Sequence, residues 1–574
     1  MRKSRPLRLK VPARTLAAPT FCAGTPEAIA AWIAGVPATD AEAVCRAALE
    51  ALAELNACEA EPALRLRRLE ALREAACAAA EHLTQRARPG APGSPEHHQR
   101  LAHTAQAVTL ALATGYKLTI LDALRSGARG DGRLRPGSPG AVLVTAVHRV
   151  VTELSRLLLR TLQLYVPAPP RLWDELHQFV LLAEAQRFAE LAVKDPTARL
   201  RTRSSVAEAY ARAALLATAQ PNALRFEPLG ALFLALEDWT RFTRLTPPRE
   251  QDPRVLVVDL ARDEAPVPAR LHRAHDEEEL RLLDARALVQ RLTNLLGGSA
   301  RAGTEQTPAR PEAVSDALLR HCLLAWSGEA RRGSRRTAAV GRLELCVGLP
   351  AIQHHAAGGV PFEQQLGIPR QSLAVLDEGD VVVPFTPRTE ASEAAPALRT
   401  ALLVDSAPGG FGLALEGEAP DDLENGVLVG LREGPEQHWS LGVVRWLSRE
   451  TGGLRAGVEL LAPRLEPAGA RLRSVRGSGG DWVRALRVPA LEVLGQPALL
   501  VLPPLPFRSG HKVAVHEGGA TQEVRLETLR VTGAGFSLFE YRPIEQLAPL
   551  EEPEAVRFEP PETDDVWASV PYRR

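Results

Sequence analysis

The feature that most constrains this chain is a change of hydrophobic period near Arg331. Before it, apolar residues recur three and four positions apart, the spacing of one helix face. After it, the apolar runs are short, rich in Val and Leu, and separated by Gly, Pro, Asp or Asn: RLELCVGL, RTALLVD, GVLVGLR, SLGVVRWL and RAGVELL. Strands at such intervals indicate a small antiparallel barrel or sandwich. A helical layer and a closed sheet each need their own core, so the chain must be a multidomain α+β protein. Its 574 residues allow for several cores, at roughly 100–200 residues per domain.

The helical grammar starts at Thr25, after an Arg/Pro-rich stretch (1–24) expected to be an irregular arm. TPEAIAAWIAGV places Thr at the N-cap, Pro in the first turn and Glu where it favours the helix dipole. The next segment, capped by Thr39 or Asp40, repeats Val44, Ala48, Leu52 and Leu55 on one face. A third helix carries Leu64, Leu66, Leu69 and Leu72, and further helices are expected near 97–126, 140–165, 170–192, 196–218 and 227–245. PRVLVVDLARD reads as a short strand, and a last helical pair closes a domain expected to be all-α over 25–327. No tetratricopeptide-type repeat is kept.

The first β domain is expected over 328–465, with an insertion at about 356–396 whose polar, Pro- and Ala-rich end predicts a mobile loop. A second small β domain is expected over 470–550, with Gly518–Gly519 as a hairpin turn. An acidic, Pro-rich tail covers 551–574.

Bulk properties exclude several classes. Lys+Arg and Asp+Glu are both 69, so the net charge is zero, which argues against a protein built for DNA or RNA. Only five of the cations are Lys, so arginine abundance is compositional and only its position is informative. The six cysteines lack metal-ligand spacing and suit free thiols of a reducing compartment. Neither a membrane-length apolar run nor a signal-peptide core is evident, so a cytoplasmic protein without membrane insertion is expected. Phosphate-loop, HExxH, GxSxG and GxGxxG motifs are absent, and no nucleophile–base set stands out. The sequence therefore predicts no enzyme, no metal and no cofactor.

Two features of the first β domain remain. ARRGSRRT gives two interleaved pairs, Arg331/Arg335 and Arg332/Arg336, just before a strand. LLVDSAPGGFGLAL ends a strand at Asp405 and turns through Gly409 and Gly410. Guanidinium forks bind phosphate oxygens and the guanine edge, and stack on bases. A carboxylate accepts from guanine N1–H and N2–H₂, while glycine lets a ligand approach the backbone. A ligand holding both phosphates and guanines would use all of these groups.

Over about 328–465 this pattern resembles the PilZ domain, a family of cyclic di-GMP receptors. RRxxxR before a first strand and D-x-[S]-x-x-G after a second carry the likeness. HWSLGVVRWLSRETGGLRAGVELL is similar to the family's closing hairpin. The resemblance implies a six-stranded antiparallel barrel with Arg332 and Arg336 on phosphate and guanine, and Arg331 and Arg335 as the alternative register. It places Asp405 and Gly410 at the outer motif positions, with Arg445 facing either ligand or solvent. Ala407 stands where the family has Ser, and a neutral hydrogen bond of about 0.5–1.5 kcal/mol is worth at most about tenfold in affinity. The implied function is a non-enzymatic cyclic di-GMP effector in which binding reorients the helical domain, itself a platform for a protein partner. The alternative is a ligand-free scaffold with a degenerate barrel.

Overall fold

The computed structural model describes residues 7–88, 91–130, 135, 137–166, 168–248, 256–269, 279–298, 307–327, 337–367, 395–407, 409–415, 420, 422–450, 453–473, 480–490 and 497–544. The chain divides into two compact units. One holds Met1–Gly359, Val381–Leu465 and Gly533–Gly535; the other holds Val360–Asp380, Glu466–Thr532 and Phe536–Arg574.

The first unit opens with α1 (Pro26–Ala34), α2 (Ala41–Ala57), α3 (Pro62–Arg86), α4 (Pro95–Arg125), α5 (Pro139–Gln163) and α6 (Leu172–Ala185). Their starts are written in the sequence. Proline occupies the first turn of α1, α3, α4 and α5, where its missing N–H costs nothing. The side chains of Thr25, Asp40, Ser94 and Ser138 each accept a hydrogen bond from the backbone N–H three residues on. Val44, Ala48, Leu52 and Leu55 are all buried, as their spacing predicts. The arm before α1 is tied down: Thr15 N–H donates to the Ala57 carbonyl at 2.8 Å, and Arg14 pairs with Asp122. By length and composition alone α4 is long and apolar enough to cross a bilayer. Most of its apolar window is buried inside the protein, as a central core helix requires.

The helix expected at 196–218 begins ten residues late. In its place a hairpin of β1 (Val193–Lys194) and β2 (Arg203–Ser204) precedes α7 (Val206–Thr218). The cause is Asp195, buried and bound by the two terminal guanidinium nitrogens of Arg73 at 2.6 and 3.0 Å. That ion pair holds the loop against α3, and Ser205 with Glu208 then forms a reciprocal capping box for α7. After α8 (Phe226–Trp239), the region expected to hold one short strand among helices carries a four-stranded antiparallel sheet. Its strands are β3 (Arg244–Thr246), β4 (Leu256–Asp259), β5 (Val267–Pro268) and β6 (Leu280–Asp284), in the order β3-β6-β4-β5. β4 is the strand read from PRVLVVDLARD, whereas β6, one residue longer, runs into the helical segment that follows it. The helices α9 (Arg286–Leu296) and α10 (Asp316–Trp326) follow.

Next come β7 (Thr337–Val347), α11 (Gly348–Ala356), α12 (Phe362–Gln365), β8 (Arg399–Ala407), β9 (Gly410–Leu415), β10 (Leu428–Arg432), β11 (Ser440–Glu450) and β12 (Gly453–Ala462). The six strands close into an antiparallel barrel in the order β10-β11-β12-β9-β8-β7. Leu345, Leu413, Val429, Val444, Leu447 and Val458 fill its interior. The polar end of the expected insertion lies outside the described residues, as does the tail 551–574. Within the first unit, barrel and helices share contacts. Tyr165, just after α5, is buried with the barrel core, and the Asn425 amide donates to the carbonyls of Asn222 and Leu224 at 2.7 and 2.8 Å.

The second unit is a further closed six-stranded antiparallel barrel. Its strands are β13 (Glu466–Leu472), β14 (Val483–Val488), β15 (Leu499–Leu502), β16 (Lys512–Glu517), β17 (Ala520–Gly533) and β18 (Phe536–Pro543), with Gly518 and Gly519 turning β16 into β17 as expected.

Candidate functional site

Strand register places three of the expected site residues, Asp405, Ala407 and Gly410, near one another beside the start of β7. Thr337 pairs with Ser406 and Ala338 with Asp405, so the chain enters β7 directly beside the carboxylate. Arg331, Arg332, Arg335 and Arg336 lie outside the described residues.

A bulge between Leu403 and Asp405 resets the alternation of β8. Leu403 packs inward beside Leu413. Asp405 then pairs with Gly412 and shares its outer side, while Ser406 pairs with Phe411, which packs on the core. Ala407 returns to the outer face opposite Gly410. Ser406 thus faces the wrong way to replace the motif serine, as alternation dictates.

The register continues across the sheet from Asp405 to Gly412, from Gly412 to Gly457, and from Gly457 to Trp446. A carboxylate and an indole therefore flank two neighbouring glycines. Both glycines are required by what lies over them. A Cβ on Gly412 would sit 2.6 Å from Asp405 Oδ1. One on Gly457 would overlap Trp446 Nε1 and lie 2.5 Å from Cδ1. Asp405 and Trp446 are half-buried, each leaning over its glycine. Their strands are three spacings apart, about 14 Å, and the inward lean narrows the gap between the two groups.

Gly410 has a different reason to be glycine: the space of its Cβ is filled by the Val458 carbonyl of β12, so its role in the fold is strand packing. Arg445, exposed in a bulge of β11, is ion-paired with Glu459 at the same end of the face. Arg455, outward on β12 opposite Ala414, borders the other end.

Chemically, the row offers an acceptor-only group, a flat aromatic surface and a floor without side chains. Such a surface takes a planar base carrying N–H donors. The sequence reading missed Gly412, Gly457 and Trp446. Their signal was present as the alternating FGL, RAGV and VVRW runs, but only the barrel's closure aligns them.

Three family models match along the chain. One described as the N-terminal domain of the cyclic-di-GMP receptor FimW matches residues 27–250. One described as that receptor's middle PilZ domain matches 255–381 and 383–467, and one described as the FimW C-terminal beta-barrel domain matches 468–544. A relative from Pseudomonas aeruginosa, named cyclic-di-GMP receptor FimW, is 29% identical over 98% of this chain and 99% of its own. No solved structure matches.

Proposed function

The chain belongs to the family of PilZ-domain cyclic di-GMP receptors, a family of effectors and not of enzymes, and we propose that its first barrel binds the nucleotide on the outer face. Asp405 accepts hydrogen bonds from a guanine edge, and the indole of Trp446 stacks on a base across the glycine floor. Arg332 and Arg336, with Arg331 and Arg335 beside them, supply the phosphate and guanine contacts. The observation carrying this reading is the single row Asp405, Gly412, Gly457 and Trp446, entered by β7 directly after the four arginines.

The arginine stretch joins α10 to β7, so gripping a ligand with it alters the link between helices and barrel. We read the protein as a cytoplasmic effector whose helical part changes its setting on the barrel and engages a protein partner. The Asn425 contacts to Asn222 and Leu224 oppose that change, and the ligand must favour one arrangement over the other for it to occur.

Ala407 favours a second reading, a ligand-free scaffold, because it withholds one hydrogen bond from the outer face. Calorimetric titration of the full chain with cyclic di-GMP separates the two. The receptor reading expects saturable heat that is lost in Arg332→Ala/Arg336→Ala. Absence of heat at high-micromolar nucleotide would leave the scaffold.

A further inference from the structure

A cavity of about 320 Å³ lies within the helical part of the first unit, walled by α3, α5, α7, α8 and the loop between β1 and β2. This volume is at the lower end of the range for small-molecule pockets, and it lies in a different part of the chain from the nucleotide face. Its lining combines apolar side chains, Leu159, Phe233 and Leu234, with four guanidiniums, Arg156, Arg160, Arg199 and Arg212.

The ion pairs around it leave one of these cations over. Buried Arg73 pairs with Glu153 and Asp195, and Arg149 with Glu70. Arg156 also pairs with Glu153, and Arg212 with Glu237. Those four arginines face four carboxylates. Arg160, only 5% exposed, has none among the described residues. Its Nε donates to Thr84 Oγ1 at 3.2 Å and its Nη1 to Thr109 Oγ1. Both hydroxyls spend their own protons on backbone carbonyls, of Ala80 and Ala105, so they offer lone pairs but no countercharge.

Among the described residues, Arg160 Nη2 and Arg212 Nη1 have no hydrogen-bond acceptor. Cys77, on the same wall, does not supply the missing charge, because burial pushes its thiol up to about 11. Burial also pulls the guanidinium of Arg160 below its usual range and that of Arg212 down to about 10. An anion entering the cavity would relieve both. Glu74 and Glu81 lie on the lining as well; Glu74 is exposed, and Glu81 is held by Arg199 at 2.7 Å.

We propose that this cavity is a second ligand site, taking a small organic carboxylate whose head meets Arg160 and whose body lies on Leu159 and Phe233. The planar fork of a guanidinium matches a carboxylate bidentately, and the lining hydroxyls of Thr84 and Thr197 already donate their protons to the Ala80 carbonyl and to Asp195.

The test is thermal unfolding of the full chain in sodium benzoate, in sodium phosphate, and in sodium chloride of equal ionic strength. Benzoate at about a hundredfold over its dissociation constant raises the midpoint by roughly 2–4 °C over chloride. The rise disappears in Arg160→Gln. Should that variant not keep wild-type helicity by circular dichroism, Ala78→Phe serves instead. Ala78 is exposed on α3 and borders the same cavity, so the substitution blocks the site without touching the arginine. A benzoate effect no larger than that of chloride overturns the proposal, as does an equal rise in the variants. A rise with phosphate alone overturns the carboxylate assignment.

Discussion

Gly457→Ala removes no group that would touch a nucleotide, yet it should weaken binding as much as deleting an aromatic side chain. The added Cβ would overlap Trp446 Nε1 and Cε2 and come 2.5 Å from Cδ1. The indole must then leave its place over the sheet, and with it the proposed stacking surface. Base–aromatic stacking is worth about 1–3 kcal/mol, and about 1.4 kcal/mol is a factor of ten. Affinity for cyclic di-GMP should fall by roughly 5- to 150-fold, measured by calorimetry on variants whose thermal unfolding matches the parent. Trp446→Ala should show a similar loss. If the glycine acts only through the indole, the double variant is no weaker than Trp446→Ala alone. Wild-type affinity in Gly457→Ala, or an additive loss in the double variant, would refute the stacking argument.

Ala407→Ser restores a hydroxyl on the outer face beside Asp405 and should tighten nucleotide binding by up to about tenfold; unchanged or weaker calorimetric affinity would exclude the missing hydrogen bond as a determinant. Arg336→Ala should lose far more affinity than Asp405→Ala in the same titration, because it removes a charge-assisted fork, and the reverse order would move the phosphate contact elsewhere. Asn425→Ala, which leaves the carbonyls of Asn222 and Leu224 without their donor, should destabilise the first unit by about 1–3 kcal/mol in denaturant unfolding. Acid should destabilise the chain early. Burial lowers His148 to about 3 and His177 to about 4, whereas unfolded histidine titrates near 6.5. The unfolded state then binds protons first, and stability present above pH 6.5 falls by about 1.4 kcal/mol per pH unit for each histidine until its folded value is reached. A flat stability profile between pH 6.5 and 4 would contradict their neutral burial.

The sequence resolved those elements whose local signals agree with their surroundings. The caps at Thr25 and Asp40, the buried stripe of α2 and the Gly518–Gly519 turn were legible because each depends on a few neighbouring residues. The hairpin before α7 was not, since it depends on Asp195 meeting Arg73 more than a hundred residues away. Of the small sheet only β4 was legible: β3 and β5 are too short to carry a period, and β6 runs into the helix α9 that follows it. At the site, Asp405 and the four arginines were proposed from two short segments, each readable by itself. Trp446 and its two glycines come from three strands, and their shared row exists only after the barrel closes.

Hydrogen exchange across the full chain, with and without saturating cyclic di-GMP, tests the central claim most directly. Binding on the outer face predicts slowed exchange in 331–341, around Asp405 and Gly412, and at Trp446 and Gly457, with little change in the second barrel. Unchanged exchange over those segments at saturating nucleotide, or protection confined to another part of the chain, would contradict it.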